Sequence, residues 1–495
     1  MLFSSLVFLW YFLPAVCLLC LITKNPVWRN GVLLCASIFF YAWGEPVYVL
    51  LMLFSIALNY AFGRWIEAAR PEPSGGETAV RLEPSGTAKG RRTARLLLTA
   101  CVLLNLGLLG YFKYFQFLAD CLNSLIALAG GTGALRVRDI ALPVGISFYT
   151  FQALSYVVDV YRGTIRAQKN VFYLALYISF FPQLIAGPIV KYRDVCDQIR
   201  SRRCTPEKAA YGIRRFSYGL AKKMLLANTF AAAVDTALAR PLPLLGTETV
   251  WLLAVLYMLQ IYFDFSGYSD MAIGLGKLFG FDFMENFRYP YLSASIREFW
   301  RRWHISLSTW FKEYLYIPLG GNRKGQFKTC RNLLIVFFAT GLWHGAGLTF
   351  IVWGLYHGFF LVLERGAFGR FLDRMQNGRL RIFAHLYALL VVLIGWVFFR
   401  ADTLADAGVL LRQMFVWTDG VYPHSLFFNG KVLFTAVCGL ILCGPLQALF
   451  PALTRHLYDE TKIRTADLAV MVTLMFLCTV YLVNNTYNPF IYFRF

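Results

Sequence analysis

His344 stands in surroundings where an ionisable side chain is unusual. It lies within residues 332–363, an apolar run that contains no Asp, Glu, Lys or Arg. An ionisable residue in a stretch long enough to cross a bilayer is costly and is a functional candidate by default. Glycines at positions 341, 345 and 347 weaken the helix locally and allow another backbone or a ligand to approach. The pattern favours a functional histidine over the alternative, a neutral histidine bonded to a neighbouring helix.

His304 lies in a stretch that predicts an amphipathic helix over residues 296–314. Large apolar side chains recur at spacings of three and four and form one face: Ile296, Phe299, Trp300, Trp303, Leu307, Trp310 and Tyr314. Polar side chains form another face: Arg297, Arg301, His304, Ser308 and Lys312. Anchoring in the membrane interface explains most of these residues. His304 is the exception, because a proton-carrying side chain there meets both a charged face and the dry interior.

A second polar cluster lies inside the apolar run 249–279, where Asp264, Ser266 and Asp270 occur close together. Carboxylates at this depth need partners. Two interpretations are equally open at this point. The carboxylates bind substrate hydroxyls or orient a histidine, or they pair with the arginines of residues 297–302.

The remaining motifs limit the chemistry. The chain has no Gly-x-Ser-x-Gly elbow, no phosphate-binding P-loop and no histidine followed five residues later by aspartate. Most of the 11 cysteines lie in apolar runs, where cysteine behaves as a small hydrophobe, so no metal site is predicted. His357 is interpreted as a satisfied core histidine. With these motifs absent, general-base chemistry by a histidine is the mechanism that the sequence still supports.

Composition excludes an ordinary soluble protein. Hydrophobic residues make up 58% of the 495 residues and charged residues only 15%, against about 25% in soluble domains. The net charge of +21 comes from basic residues in short loops between apolar runs. That pattern directs loops to the cytoplasm and attracts anionic lipid headgroups. The charge therefore indicates membrane lipids as contacts and no nucleic acid.

The predicted fold is an all-α polytopic membrane protein. A span needs about 20 apolar residues, and the candidate runs are residues 2–22, 31–62, 96–119, 140–160, 171–190, 216–238, 249–279, 332–363, 382–399, 430–451 and 466–483. Several have awkward lengths, so about ten to twelve transmembrane or re-entrant helices are expected, plus interfacial amphipathic helices. Four segments follow: N-terminal membrane helices over 1–63, a basic, partly disordered cytoplasmic loop over 64–95, a catalytic membrane core over 96–399 and C-terminal membrane helices over 400–495.

Several long motifs resemble one known family. They are residues 296–316 (IREFWRRWHISLSTWFKEYLY), 340–345 (TGLWHG), 182–189 (PQLIAGPI) and 263–270 (FDFSGYSD). These stretches resemble the membrane-bound O-acyltransferase (MBOAT) family, and within it the bacterial branch of alginate O-acetyltransferase AlgI-like proteins. The opening residues 1–5 and the closing residues 490–495 resemble the same branch. The loop over 66–95 does not match it.

The resemblance implies a many-helix fold around a central chamber, with His344 as the principal active-site histidine and His304 as the second motif histidine. It implies acetyl-CoA as the acyl donor, without a bound cofactor, in a protein of the bacterial inner membrane. It also implies that acetyl crosses the membrane to an exported polysaccharide such as alginate. An extracytoplasmic SGNH-type acetyltransferase and the exopolysaccharide synthesis machinery are the expected partners.

In the expected mechanism, His344 accepts the proton of an acceptor hydroxyl, which attacks the thioester carbonyl. His304, with Arg302 or Lys312 as nearby donors, steadies the oxyanion or the leaving thiolate. A Gly320-Gly321 turn before four basic residues either helps to hold the anionic acyl carrier or is a plain cytoplasmic loop. The predicted substrate-binding residues are Asp264, Ser266, Asp270, Arg302, Trp310, Lys312 and Trp343.

Three other functions stay open. The first is transfer of D-alanyl or another acyl group to a cell-envelope polymer or a lipid. The second is a transporter subunit of an exopolysaccharide export complex without catalysis of its own. The third is a scaffold for a polysaccharide synthase, which would leave the buried His344 unexplained.

Overall fold

The computed structural model describes residues 1–70, 88–131, 140–376, 378, 380–458, 464–484, 487 and 490. These ranges are helical without strands, which confirms the predicted all-α class. Two compact units divide the chain: Met1–Cys204 with Gly280–Phe283, and Thr205–Phe279 with Met284–Phe495. The predicted division into four segments stays a prediction. Most of the closing motif, residues 491–495, lies outside the described residues.

The first unit contains eight α-helices after a π-helical turn at Phe8–Phe12 in the described ranges: α1 (Leu13–Leu21), α2 (Pro26–Ala42), α3 (Tyr48–Ala69), α4 (Ala88–Leu128), α5 (Ile146–Arg162), α6 (Val171–Ser179), α7 (Phe181–Leu184) and α8 (Tyr192–Arg200). Helices α3 and α4 extend into the predicted loop 64–95 from its two ends, and residues 71–87 of that loop lie outside the described residues. Asn59 and Asn105, both buried, join α3 to α4 by exchanging hydrogen bonds of 3.0 and 3.1 Å.

The second unit begins with α9 (Pro206–Ala221), a π-helical turn at Lys222–Ala227, α10 (Asn228–Leu238) and α11 (Thr247–Leu278). The helices that follow are α12 (Ile296–Arg302), α13 (Ile305–Phe311), α14 (Gln326–His344), α15 (Leu348–Leu363), α16 (Ala367–Gln376), α17 (Arg381–Arg400), α18 (Leu404–Phe415), α19 (Gly430–Leu442), α20 (Pro445–Leu449), α21 (Pro451–Tyr458) and α22 (Thr465–Asn484). Helix α11 is buried over most of its length and forms the core of this unit.

Glycines bring α9 and α11 into backbone contact. Gly219 faces Gly267, and about two helical turns away Gly212 faces Gly274. A Cβ atom on Gly219 would lie 2.5 Å from the carbonyl oxygen of Gly267. Small residues at a helix interface permit this close approach in membranes, where apolar side chains gain little from leaving lipid. The approach also sets the side chains at the end of α9 and in the following π-helical turn directly against α11.

Six helical segments in the described ranges are long and apolar enough to cross a membrane: Tyr48–Ala69, Ala88–Leu128, Thr247–Leu278, Arg381–Arg400, Gly430–Leu449 and Thr465–Asn484. A seventh is present if α15 and α16, which are bent by 79°, form one broken span. The chain is thus a multi-pass membrane protein. Other predicted runs form shorter or interrupted helices, because hydropathy averaged over a window does not register a break in the backbone.

Two of the predicted elements are wrong in detail. The amphipathic helix over 296–314 is interrupted at His304, which separates α12 from α13. The apolar run 332–363 is a helical hairpin, because α14 ends at His344 and α15 begins at Leu348. Both histidines therefore lie at helix ends and not within continuous helices.

Candidate active site

The backbone around His304 has an unusual conformation, which hydrogen bonds to residues 286–288 hold in place. His304 has a φ of 43° and ψ of 55°, in the left-handed region that costs an L-residue roughly 1–2 kcal/mol. The Arg288 N–H donates to the Arg302 carbonyl at 2.9 Å, and the Ile305 N–H donates to the Asn286 carbonyl at 2.9 Å. Strain of this kind persists only where the surroundings fix it, and it concentrates at functional sites.

The imidazole of His304 is fully buried among rings. Its ring centroid lies 4.6 Å from that of Phe265 on α11 and 5.8 Å from that of Trp343. The Nδ1 atom lies 3.2 Å from Oδ1 of Asn286, and Nε2 has no hydrogen-bond partner within the described part of the chain. Burial lowers the pKa of His304 to about 3, so the ring is neutral at physiological pH.

His344 is the last residue of α14, and the turn after it places its ring in an aromatic pocket. The ring centroid lies 4.9 Å from that of Trp343, 5.0 Å from Trp353 and 5.2 Å from Phe399. The side chain is buried, with 5% of its residue surface exposed. The hairpin is tight, because a Cβ atom on Gly354 of α15 would lie 2.2 Å from the Phe337 carbonyl oxygen on α14.

The structure brings the two predicted catalytic histidines together. The ring centroids of His304 and His344 are 6.4 Å apart, and Trp343 contacts both rings. We call His304, Trp343 and His344 the histidine cluster. A proton acceptor in a dry, aromatic pocket, with a second imidazole nearby, suits general-base chemistry on a substrate that reaches the pocket.

Of three other predicted substrate-binding residues, Arg302 and Trp310 contact neighbouring side chains and Lys312 is exposed. The guanidinium of Arg302 donates to Glu298 at 2.9 Å and to the Arg288 carbonyl at 3.1 Å. Lys312 is exposed at the start of a π-helical turn, and Trp310 packs against Tyr314 with centroids 5.1 Å apart. Contact of these three residues with a substrate stays a prediction.

Asp264 and Asp270 have partners that the sequence analysis did not foresee. Lys223 Nζ lies 2.7 Å from Asp264, and Lys222 Nζ lies 2.6 Å from Asp270. Arg215 pairs with Asp270 at 2.7 Å and with Glu285 at 2.6 Å. We call these six residues the charge network. The alternative in which the carboxylates pair with the arginines of 297–302 is wrong, because the glycine contacts set α9 and its π-helical turn, not α12, against this part of α11.

A sequence signal for this pairing existed. Lys222 and Lys223 interrupt the apolar run 216–238, and Asp264 and Asp270 interrupt the next run. Charges inside membrane segments pair with one another, so two cations and two anions in consecutive runs indicate a pairing. Ser266, the remaining predicted residue here, is buried, and its hydroxyl oxygen has no partner in the described ranges.

His357 is buried, as expected, but it is not satisfied by hydrogen bonds. Its ring stacks with Phe299 at 6.1 Å and meets Trp300 at 5.3 Å and Trp353 at 5.2 Å between centroids. Neither ring nitrogen has a hydrogen-bond partner in the described residues. Aromatic packing therefore holds this histidine in place.

Glu364, which the sequence analysis missed, fixes the start of α12. Its buried carboxylate accepts the backbone N–H of Ile296 at 2.6 Å and of Arg297 at 2.9 Å. These are free N–H groups of a helix N-terminus, where an anion is favourable. Because Glu364 follows α15 directly, this contact ties the helix before His304 to the hairpin that carries His344.

Comparison with known proteins shows to which protein family this chain belongs. The model of the MBOAT, membrane-bound O-acyltransferase family matches residues 164–401, a range that contains the histidine cluster. This chain belongs to the membrane-bound O-acyltransferase family, and it is an O-acyltransferase.

Relatives within this family to which the chain is similar carry the names of O-acetylases and an O-acetyltransferase. The chain is 39% identical to the probable alginate O-acetylase AlgI of Pseudomonas putida, with 100% of both chains covered. It is 45% identical to the probable AlgI of Pseudomonas aeruginosa over 93% of this chain and 83% of the relative. It is 31% identical to the peptidoglycan O-acetyltransferase of Helicobacter pylori, with 100% of this chain and 98% of the relative covered.

Proposed function

We propose that this protein transfers acetyl from a cytoplasmic thioester, acetyl-CoA, to a hydroxyl for the O-acetylation of an exported polysaccharide. The observation that carries the proposal is the histidine cluster, in which two buried imidazoles from distant parts of the sequence lie 6.4 Å apart between ring centroids. The relatives support acetyl as the acyl group, since their names describe O-acetylation of alginate and of peptidoglycan.

In the proposed reaction, His344 accepts the proton of the acceptor hydroxyl as the oxygen attacks the thioester carbonyl. The tetrahedral intermediate collapses with cleavage of the C–S bond. An acetyl ester forms, and the CoA thiolate leaves and takes up the proton that His344 holds. The aromatic walls of the pocket exclude water, which limits hydrolysis of the thioester.

An exposed basic segment supports an anionic donor. The Gly320-Gly321 turn is held by Asn332, whose Nδ2 donates to the Gly321 carbonyl at 3.0 Å. Arg323, Lys324 and Lys328 follow the turn and are exposed. Helix α14 has 19 residues and is about 28 Å long, so the start of this segment is far from His344. The proposed role of the basic segment is therefore to attract the phosphates of the donor to the membrane face, while the thioester group binds away from this segment.

The proposed acceptor is reached on the far side of the bacterial inner membrane. The acetyl group passes to an SGNH-type acetyltransferase or directly to the polysaccharide, in association with the exopolysaccharide synthesis machinery. In this proposal the buried base lies between the two membrane faces, so that donor and acceptor approach it from opposite sides.

The test is release of CoA from radiolabelled acetyl-CoA by the purified protein in detergent, with His344→Ala compared with the wild type. We expect the variant to lose release by at least about a hundredfold, the lower range for loss of a general base. The matched control is His357→Ala, which removes a buried histidine of the adjoining helix and retains release per folded molecule. Wild-type release by folded His344→Ala would contradict the proposal.

The acyl group is tested in the same assay. Equal release from a longer acyl-CoA would contradict acetyl specificity. Uptake of intact substrate into liposomes without thioester consumption would favour the transporter subunit. Release that appears only with an SGNH-type partner present would support the relay to that partner.

A further inference from the structure

Asn286 is a fully buried amide at the centre of a small hydrogen-bond network around His304. Its Oδ1 accepts the backbone N–H of Ser306 at 3.2 Å and the hydroxyl of Ser306 at 2.9 Å, and it lies 3.2 Å from Nδ1 of His304. Its Nδ2 donates to the Ser269 hydroxyl on α11 at 3.1 Å. The Asn286 amide thus contacts His304 and Ser306, which flank Ile305, and it also contacts the core helix α11.

The backbone N–H of Ser306 determines which way this amide faces. An N–H of the main chain only donates, so the atom opposite it must be the amide oxygen and not the NH₂ group. The same oxygen faces Nδ1 of His304, and an amide oxygen only accepts. The proton of the neutral His304 ring is therefore on Nδ1, and Nε2 carries a lone pair.

This tautomer changes what His304 is able to do. A neutral imidazole has one donor and one acceptor nitrogen, and Asn286 occupies the donor. Nε2, which has no hydrogen-bond partner in the described ranges, is then an acceptor. In this state His304 offers no N–H to an oxyanion or a thiolate, the role that the sequence analysis expected for it.

We propose that Asn286 is a positioning residue that holds His304 in the Nδ1–H tautomer, so that His304 Nε2 accepts the second N–H of the His344 imidazolium. This inference rests on the proposed function. When His344 takes the hydroxyl proton, both of its nitrogens carry hydrogen, and the neutral His304 ring offers a lone pair close to the new positive charge. The 6.4 Å between ring centroids is too long for a direct hydrogen bond, so the proposal requires one water held between the two rings, in a pocket whose aromatic walls exclude bulk water. No covalent bond forms or breaks at His304.

The first experiment reads the tautomer without any activity. Histidine side chains labelled with 15N give separate NMR signals for protonated and unprotonated nitrogens, and the chain contains six histidines. The signals that disappear in His304→Asn belong to His304. We expect a protonated Nδ1 and an unprotonated Nε2 in the wild type. A protonated Nε2 with a bare Nδ1 would overturn the inference.

The second experiment uses two substitutions at Asn286. Asn286→Leu removes the acceptor, and we expect a mixed tautomer and a fall in kcat of roughly a hundredfold with an unchanged KM for acetyl-CoA. Asn286→Asp keeps an acceptor oxygen toward Nδ1 and Ser306, and we expect it to restore the Nδ1–H tautomer and most of kcat. Unchanged kcat in folded Asn286→Leu, or equal losses in both variants with a retained tautomer, would overturn the inference.

Asn105→Leu is the matched control, because it removes a buried, hydrogen-bonded asparagine in the other unit. We expect it to lower thermal stability without changing kcat per folded molecule. The two proposals fail in different ways. A wild-type protein that consumes no thioester contradicts the proposed function, whereas the NMR signal of His304 still decides the tautomer.

Discussion

The histidine cluster and the charge network both lie in the second unit, yet their polar atoms differ in whether they have hydrogen-bond or ionic partners. In the charge network, each carboxylate has a cation within 2.7 Å. In the histidine cluster, His304 is strained and its Nε2 has no hydrogen-bond partner in the described residues. Buried polar atoms are nearly always satisfied, so an unpartnered nitrogen combined with backbone strain supports the prediction that a substrate or water completes the bonding at His304.

This difference distinguishes two roles of a polar residue in a membrane protein, a structural role and a functional one. Asp264 and Asp270 were predicted to be substrate-binding residues because carboxylates at this depth need partners, and pairing with arginines was the open alternative. Their pairing with Lys222 and Lys223 gives them a structural explanation that needs no substrate. Among the described residues, His304 has only Asn286 beside its ring as a hydrogen-bonding side chain, and the catalytic role of His304 and His344 stays a prediction.

The largest effect tests the charge network. Lys223→Ala leaves Asp264 buried without its ion-pair partner, and we expect a loss of about 3–5 kcal/mol in the free energy of unfolding. The double variant Lys223→Met with Asp264→Leu removes both charges, and we expect it to recover most of that loss. Denaturation of the protein in detergent measures both values.

Activity of the double variant sharpens the comparison. If folded protein retains CoA release, Asp264 is structural. If stability returns and release does not, Asp264 contributes to substrate binding as first predicted, and the contrast between the two regions fails.

A smaller effect tests the contact that creates the network. Gly219→Ala places a Cβ atom 2.5 Å from the Gly267 carbonyl oxygen, so α9 must move away from α11. We expect a loss of about 1–3 kcal/mol in stability, as for other overpacked sites. The control is Gly110→Ala on α4, where a Cβ atom meets nothing within 4 Å, and we expect no loss there. Equal stability of the two variants would show that the glycine contact is dispensable.

The pH dependence of stability tests the burial of His304. Its folded pKa of about 3 lies below the usual value of 6.5, so the folded state holds the neutral ring. The resulting stability is complete above pH 6.5 and is lost as the pH falls toward 3. At pH 5 we expect a loss of about 2 kcal/mol relative to pH 7.

His304→Asn is the control for this measurement, because asparagine tolerates the left-handed conformation and does not titrate. Thermal unfolding at pH 7 and pH 5 should show a shallower dependence in the variant. The same dependence in both proteins would mean that His304 is not a buried neutral group.

The smallest effect tests how α12 is held. Glu364→Gln keeps an acceptor oxygen for only one of the N–H groups of Ile296 and Arg297, which bond to different carboxylate oxygens, and it removes the negative charge. We expect a loss of about 1 kcal/mol from the weaker interaction with the helix terminus. Because α12 leads directly into His304, we also expect a fall in kcat without a change in KM. A change in KM alone would place Glu364 in donor binding instead.

Part of this molecule could be predicted from residue types and spacing. Long apolar runs require membrane helices, since an exposed backbone is not tolerated in lipid. The isolated His344 and the motif around His304 indicated the two catalytic candidates, and the same motifs indicated the family. Trp343 was also predicted, and it contacts both histidine rings.

Other features depend on contacts between distant residues. Residues 296–314 have a helical period, yet His304 is left-handed because hydrogen bonds from residues 286–288 on either side of it outweigh the local preference. No sequence pattern pointed to Asn286 or Glu364, because their importance lies in the backbone groups that they bind.

The sequence by itself determined the class of protein, its membrane-spanning character and which histidines are the catalytic candidates, because these follow from composition, hydropathy and local motifs. Only the tertiary structure decided where the helices break, which charges pair and which nitrogen of His304 carries the proton. Those properties depend on the sign of one backbone angle and on the direction of single hydrogen bonds, neither of which a hydropathy pattern encodes.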